Sequence, residues 1–70
     1  MDRYILSNEF DELMKSYGDF SIWRTKHGDY VLVTFKGLCV YKLLYKHDSF
    51  HVVLAALCSA LNGESLKGGF

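Results

Sequence analysis

Ser7–Gly18 reads "SNEFDELMKSYG", and the element assigned to this stretch sets the order of everything after it. Phe10, Leu13, Met14 and Tyr17 fall at i, i+3, i+4 and i+7, the spacing of an apolar stripe on a helix. Ser7 or Asn8 can cap its N-terminus, accepting from otherwise unpaired N–H groups. Glu9, Asp11 and Glu12 then stand in the first turns, where the helix dipole favours negative charge. Leu6, just ahead of the cap, can pack as a hydrophobic staple, and Gly18 offers the left-handed residue that ends a helix. The stretch is expected to be a first helix.

Three runs rich in β-branched and aromatic residues follow: Phe20–Lys26, Tyr30–Lys36 and Leu38–Lys46. "HGD" (27–29) and Gly37 separate them, connections far too short for a parallel crossover, so the runs form an antiparallel meander. "DSFHVVLAALCSALNG" (48–63) reads as a second helix capped by Asp48 or Ser49, with Phe50, Val53, Leu54, Leu57 and Leu61 turned inward and Asn62–Gly63 as its stop. The expected fold is α+β, a three-stranded antiparallel meander with two helices packed on one face, in the order α-β-β-β-α. Residues 1–63 make one compact domain and 64–70, with two glycines and no periodicity, a frayed tail.

A chain of 70 residues with half its positions apolar folds as a single small domain of marginal stability. Cys39 and Cys58 are too few for a disulfide scaffold and read as reduced, buried packing residues. No secretory leader is visible in "MDRYILSNEFDEL", and the uncharged run Ser49–Gly63 is too short in apolar residues to cross a bilayer. The chain reads as cytoplasmic. Its formal net charge is zero, yet residues 1–19 carry a net −3 and residues 20–46 a net +4. An acidic helix bearing Glu9, Asp11 and Glu12, and a basic sheet, would then face different neighbours.

His47 and His51 sit four apart with Asp48 between them. Four-residue spacing suits chelation only when both residues lie on a helical ladder, and His47 precedes the cap. The same letters serve as a strand end followed by a helix start, so no metal or other cofactor is expected. No Gly-rich phosphate loop or paired acidic motif appears. Cys58 lies near a helix C-terminus, where the dipole has the wrong sign to activate a nucleophile. Enzymatic activity is not expected.

Both faces of the expected sheet are rich in apolar groups. Val31, Val33 and Phe35 oppose Tyr30 and Leu32, and Leu38, Val40 and Leu44 oppose Tyr41, Leu43 and Tyr45. With one face in the core, the other offers Trp23, Tyr41 and Tyr45 as aromatic anchors edged by Arg24, Lys26 and Lys42, a mix that interfaces favour. The second helix carries no Asp, Glu, Lys or Arg between Asp48 and Glu64. Its expected outward strip, Val52, Ala55, Ala56 and Ser59, invites a homodimer contact.

The order α-β-β-β-α is that of double-stranded-RNA-binding domains. Those domains open their second helix with a lysine cluster, where this chain has "SFHVVLAAL" (49–57), so RNA binding is not implied. In size, element order, the acidic capped first helix and the ending "SALNG" (59–63), residues 7–63 resemble small phage-encoded inhibitors of the anti-CRISPR type. The resemblance implies a non-enzymatic interaction protein, often dimeric, that binds a host protein or a ribonucleoprotein such as a CRISPR effector and blocks its ligand or nucleic-acid site. Acidic nucleic-acid mimicry, as some of that type use, does not fit a neutral chain. The alternative is a small nucleic-acid-binding module that uses the basic, aromatic sheet face as a stacking platform.

Overall fold

Ser7–Gly18 is not a helix. In the computed structural model, which describes residues 3–62, Ser7–Glu9 forms one 3-10 turn and Phe10–Tyr17 an eight-residue strand. The elements are β1 (Arg3–Leu6), the 3-10 turn, β2 (Phe10–Tyr17), β3 (Phe20–Thr25), β4 (Tyr30–Gly37), β5 (Val40–His47) and α1 (Phe50–Leu61). The strands form one antiparallel sheet in the order β1-β5-β4-β3-β2. Five strands and one helix therefore replace the expected three strands and two helices. The expected tail at 64–70 lies outside the described residues.

The helical spacing in β2 has a strand explanation. Against β3, the register slips between Phe10 and Glu12 and again between Leu13 and Lys15, leaving Asp11 and Met14 as extra residues. Each bulge breaks the two-residue alternation. Phe10 then packs on one face of the sheet and Met14 on the other. Leu13 lies opposite Trp23 and Tyr17 opposite Phe20, both largely exposed. The four apolar residues never shared a face, and only their count along the chain mimicked a helix.

Both sheet faces are core. On one, α1 buries Val53, Ala56 and Leu57 against Ile22 and Leu32, with Met14, Phe20, Tyr30, Leu44 and Tyr45 around them. A further bulge at Leu44 sends Leu44 and Tyr45 to this same side. On the other, Phe10, Val31, Val33 and Leu43 are buried with Ile5, Trp23 and Tyr41 packed on them. Among the described residues no further element covers that face, and the sheet curls over it. β1 and β2 are the two edges of the sheet, yet only Ser7–Glu9 connects them. Three residues cannot span a flat five-stranded sheet, whose edges lie about 19 Å apart at ~4.8 Å per strand, so the sheet folds round until its edges approach. Four register shifts along β2, β4 and β5 supply the added bend and twist.

The β4–β5 hairpin needs its glycine at Gly37, which takes φ +143°. Its two-residue loop is Leu38–Cys39, and Leu38 takes φ +51°, the left-handed region that costs a side-chain-bearing residue about 1–2 kcal/mol. Gly37 precedes it inside β4. Leu38 is also 95% exposed, so its side chain contributes almost no packing. Leu38→Gly is expected to raise stability by about 0.5–1 kcal/mol once the entropy of glycine is subtracted; urea unfolding monitored by circular dichroism reads it, and a fall in stability would contradict this turn.

Candidate cleft at the sheet seam

A cleft opens beside the edge strand β1, between it, the Ser7–Glu9 link and the β3–β4 turn. Two hydrogen bonds hold the link there. The Ser7 N–H donates to the Cys39 carbonyl (2.9 Å), and the Lys26 N–H donates to the Glu9 carbonyl (3.0 Å). The first ties the link to the β4–β5 hairpin, the second to the β3–β4 turn. Between them lies a cleft of about 550 Å³, within the range of ligand-sized pockets. Ile5, Val31 and Leu43 give it an apolar floor continuous with the second core cluster. The backbone and side chains of β1 form one wall; Glu9, Thr25 and His27 form the other.

The far wall is well braced. Thr25 is buried, its N–H donating to the Asp29 carbonyl (2.8 Å) and its Oγ1 accepting from the His27 N–H (3.2 Å). Gly28, at φ +91°, closes this turn. The rim is polar and mixed in sign. Arg3 and Lys46 stand at it, and Lys46 Nζ lies 3.6 Å from Asp29 Oδ2. Glu9 Oε1 is 3.9 Å from His27 Nε2 on the opposite wall.

The residues expected to form a binding face are divided. Trp23 and Tyr41 lie in the concave core: Trp23 stacks on Phe10 at 4.7 Å, Tyr41 meets Phe10 edge-on at 5.2 Å, and Trp23 Nε1 donates to Ser21 Oγ at 3.0 Å. Tyr45 is on the other face, against α1. Lys42, between Tyr41 and Leu43, points away from the concave side and sits opposite Tyr4 of β1. Lys26 is exposed in the β3–β4 turn. Arg24 does not edge a basic surface: its Nη2 lies 2.8 Å from Asp11 Oδ2 and 2.9 Å from Glu12 Oε1, with a further bond from Nε to Asp11. The hydrogen bond to Asp11, helped by the charge of Glu12, holds the Arg24 pKa above its already high value. The acidic and basic segments thus meet as neighbouring strands and neutralise each other there. Arg24→Ala is expected to lower the melting temperature slightly in dilute buffer and not at molar salt, because exposed ion pairs are weak and screened. An equal loss at both ionic strengths would point to packing instead.

The expected dimer strip is also split. Ala56 is in the core, Ala55 is exposed, and Val52 and Ser59 are half-buried. Leu61, expected inward, is largely exposed. Ser49 is the N-cap of α1 but gives no side-chain cap. Its N–H instead donates to His47 Nδ1 (3.0 Å), with Asp48 Oδ1 3.1 Å from the same nitrogen. His47 thus braces the start of the helix, while His51 lies against the Phe50 ring. Among the described residues no cluster of three or more His, Cys, Asp or Glu could hold a metal ion. Cys39 and Cys58, expected buried, are free and exposed. No helix among the described residues is long and apolar enough to cross a membrane.

The cleft itself went unread in the sequence. Ile5, Val31 and Leu43 are ordinary strand residues in the chain, and Arg3–Leu6 is too short to stand out as a strand. No family model, no curated protein and no solved structure matches this chain.

Proposed function

We propose that this protein is a non-enzymatic binding module that engages a macromolecular partner at the seam cleft. The observation that carries the reading is the cleft's build: half-buried Ile5 over the buried Val31 and Leu43, beside a rim of Arg3, Glu9, His27 and Lys46. A strand edge, an apolar floor and a few charged groups at the margin suit recognition of a chain segment. The layout behind the likeness to phage inhibitors, α-β-β-β-α, is not that of this chain, so the binding role rests on the cleft alone. Two exposed free thiols suit a reducing compartment such as the cytoplasm.

The test compares the parent with a Leu6→Asp, Lys46→Glu double variant. Both positions line the cleft and both are largely exposed, so the fold is retained. Immobilised parent is expected to retain a partner from a bacterial lysate that the variant, of equal melting temperature, does not. Retention that survives the substitutions would move the binding surface elsewhere. Retention lost steeply with salt and on nuclease treatment would favour the nucleic-acid alternative.

A further inference from the structure

The link from β5 to α1 holds two contacts that belong to different states of one nitrogen. The Ser49 N–H donates to His47 Nδ1 at 3.0 Å, and Asp48 Oδ1 lies 3.1 Å from that same atom. Both distances are of hydrogen-bond length. An imidazole nitrogen carries either a lone pair or a proton in the ring plane. The Ser49 contact needs the lone pair. A carboxylate oxygen only accepts, so the Asp48 contact needs the proton. The first contact is therefore that of neutral His47 and the second that of its imidazolium. The His47 side chain is 43% exposed, so solvent delivers and removes the proton directly. The start of α1 leans on the neutral form: Ser49, its N-cap, gives no side-chain hydrogen bond, and no acidic residue stands in the first turn.

We infer that His47 is a proton-operated latch on the start of α1. Neutral, it holds the Ser49 N–H on Nδ1 and keeps its own proton on Nε2. On protonation Nδ1 turns from acceptor to donor and takes Asp48, in a charge-assisted bond about twice as strong as the one given up. The Ser49 N–H is left to water. An imidazolium then stands at the helix N-terminus, where the dipole opposes a cation, and the Asp48 carboxylate that favoured this end is neutralised. The first helical bond, from the Val53 N–H to the Ser49 carbonyl at 3.3 Å, loosens with the cap. So does the Phe50 ring, which meets Tyr30 at 5.7 Å; Tyr30 is the partner of His47 in the β4–β5 register. Ala56 and Leu57, further along α1, stay packed on Ile22 and Leu32. The other charged and titratable groups around the latch are Arg24, opposite Tyr30 in β3 and held by Asp11 and Glu12; Lys46, 3.6 Å from Asp29; and His51, against the Phe50 ring.

The experiment is nuclear magnetic resonance on the nitrogen-15-labelled full chain, between about pH 8 and pH 5, the range in which histidine charge ordinarily changes. At the upper end a scalar coupling across the hydrogen bond is expected between the Ser49 nitrogen and His47 Nδ1, with the ring in its Nε2–H form. At the lower end the coupling is gone. The Ser49 and Val53 amides then exchange up to about tenfold faster, relative to an unstructured chain at the same pH, the value of one hydrogen bond, and the Leu57 amide does not. His47→Asn, at an exposed position, offers an amide oxygen that accepts from Ser49 at every pH, and is expected to abolish the response. His51→Asn is expected to keep it. Asp48→Ala is expected to retain the coupling near pH 8 and to leave the protonated ring averaging over rotamers near pH 5. A neutral ring in the Nδ1–H form, a coupling that persists near pH 5, or an exchange response that survives His47→Asn would overturn the latch; loss of the response in His51→Asn instead would give the role to the second histidine.

Discussion

Ala56→Glu is expected to unfold the protein outright. On sequence spacing, Ala56 belongs to an outward strip, and a charge there would separate two copies and lower stability only by the loss of that contact. In the structure it is 8% exposed and sits among Ile22, Leu32, Val53 and Leu57. A glutamate there must bury an unpartnered carboxylate or take up a proton, and it also overfills the gap between helix and sheet. Either route costs several kcal/mol. A single core in a domain this small rarely provides more than about 3–5 kcal/mol in all. Circular dichroism is expected to show loss of the native signal at room temperature. Ala55→Glu, one residue away and exposed, is the control and is expected to change stability by less than about 0.5 kcal/mol. A folded Ala56→Glu with an unchanged melting temperature would mean that α1 turns a different face to the sheet.

Trp23→Ala carries the second large effect, again on stability. As a surface anchor, Trp23 would be removable with the fold intact. Here its ring is stacked on Phe10, contacts Tyr41 edge-on at 6.5 Å and closes the concave core beside Val31 and Val33. Removing a large aromatic from such a cluster costs about 3–5 kcal/mol, and the loss of stacking is part of it. Because Trp23 is only half-buried, the lower end is expected, enough to leave a domain of this size largely unfolded. Trp23→Phe keeps the stack and is expected to recover most of the loss. Urea unfolding of the two variants side by side settles the point. If Trp23→Ala proved as stable as the parent, the concave face would not be a core.

The two substitutions bear on the same question, namely where the excess of apolar residues goes. Tyr41, Leu43, Trp23 and Val33 are too many for the outer face of a flat, one-sided sheet. A partner would solve the problem, and so does curvature. Only the fold distinguishes them, because the bend comes from register shifts at Asp11, Met14, Lys36 and Leu44, which depend on how one strand lies against the next. The proposed site inherits this. The Ser7–Glu9 link, tied to Cys39 at one end and Lys26 at the other, brings β1 beside the β3–β4 turn, so residues as distant in sequence as Ile5 and His27 line one cleft.

What the sequence determined by itself is local. The helix Phe50–Leu61 was legible from its apolar spacing and its Asn62–Gly63 stop, and the antiparallel run of β3, β4 and β5 from β-branched residues broken at "HGD" and Gly37. These features depend on neighbours a few positions apart, and the chain carries them wherever it folds. What tertiary structure decided was the assignment of Phe10–Tyr17, the place of β1 beside β5, the direction Ala56 faces and the pairing of Arg24 with Asp11 and Glu12. The apolar spacing of Phe10–Tyr17 satisfies a helix and a doubly bulged strand equally well. The strand prevails because it places Phe10 under Trp23 and Met14 under α1, burying apolar surface on both sides of the sheet at once, which a helix with one apolar stripe would not do.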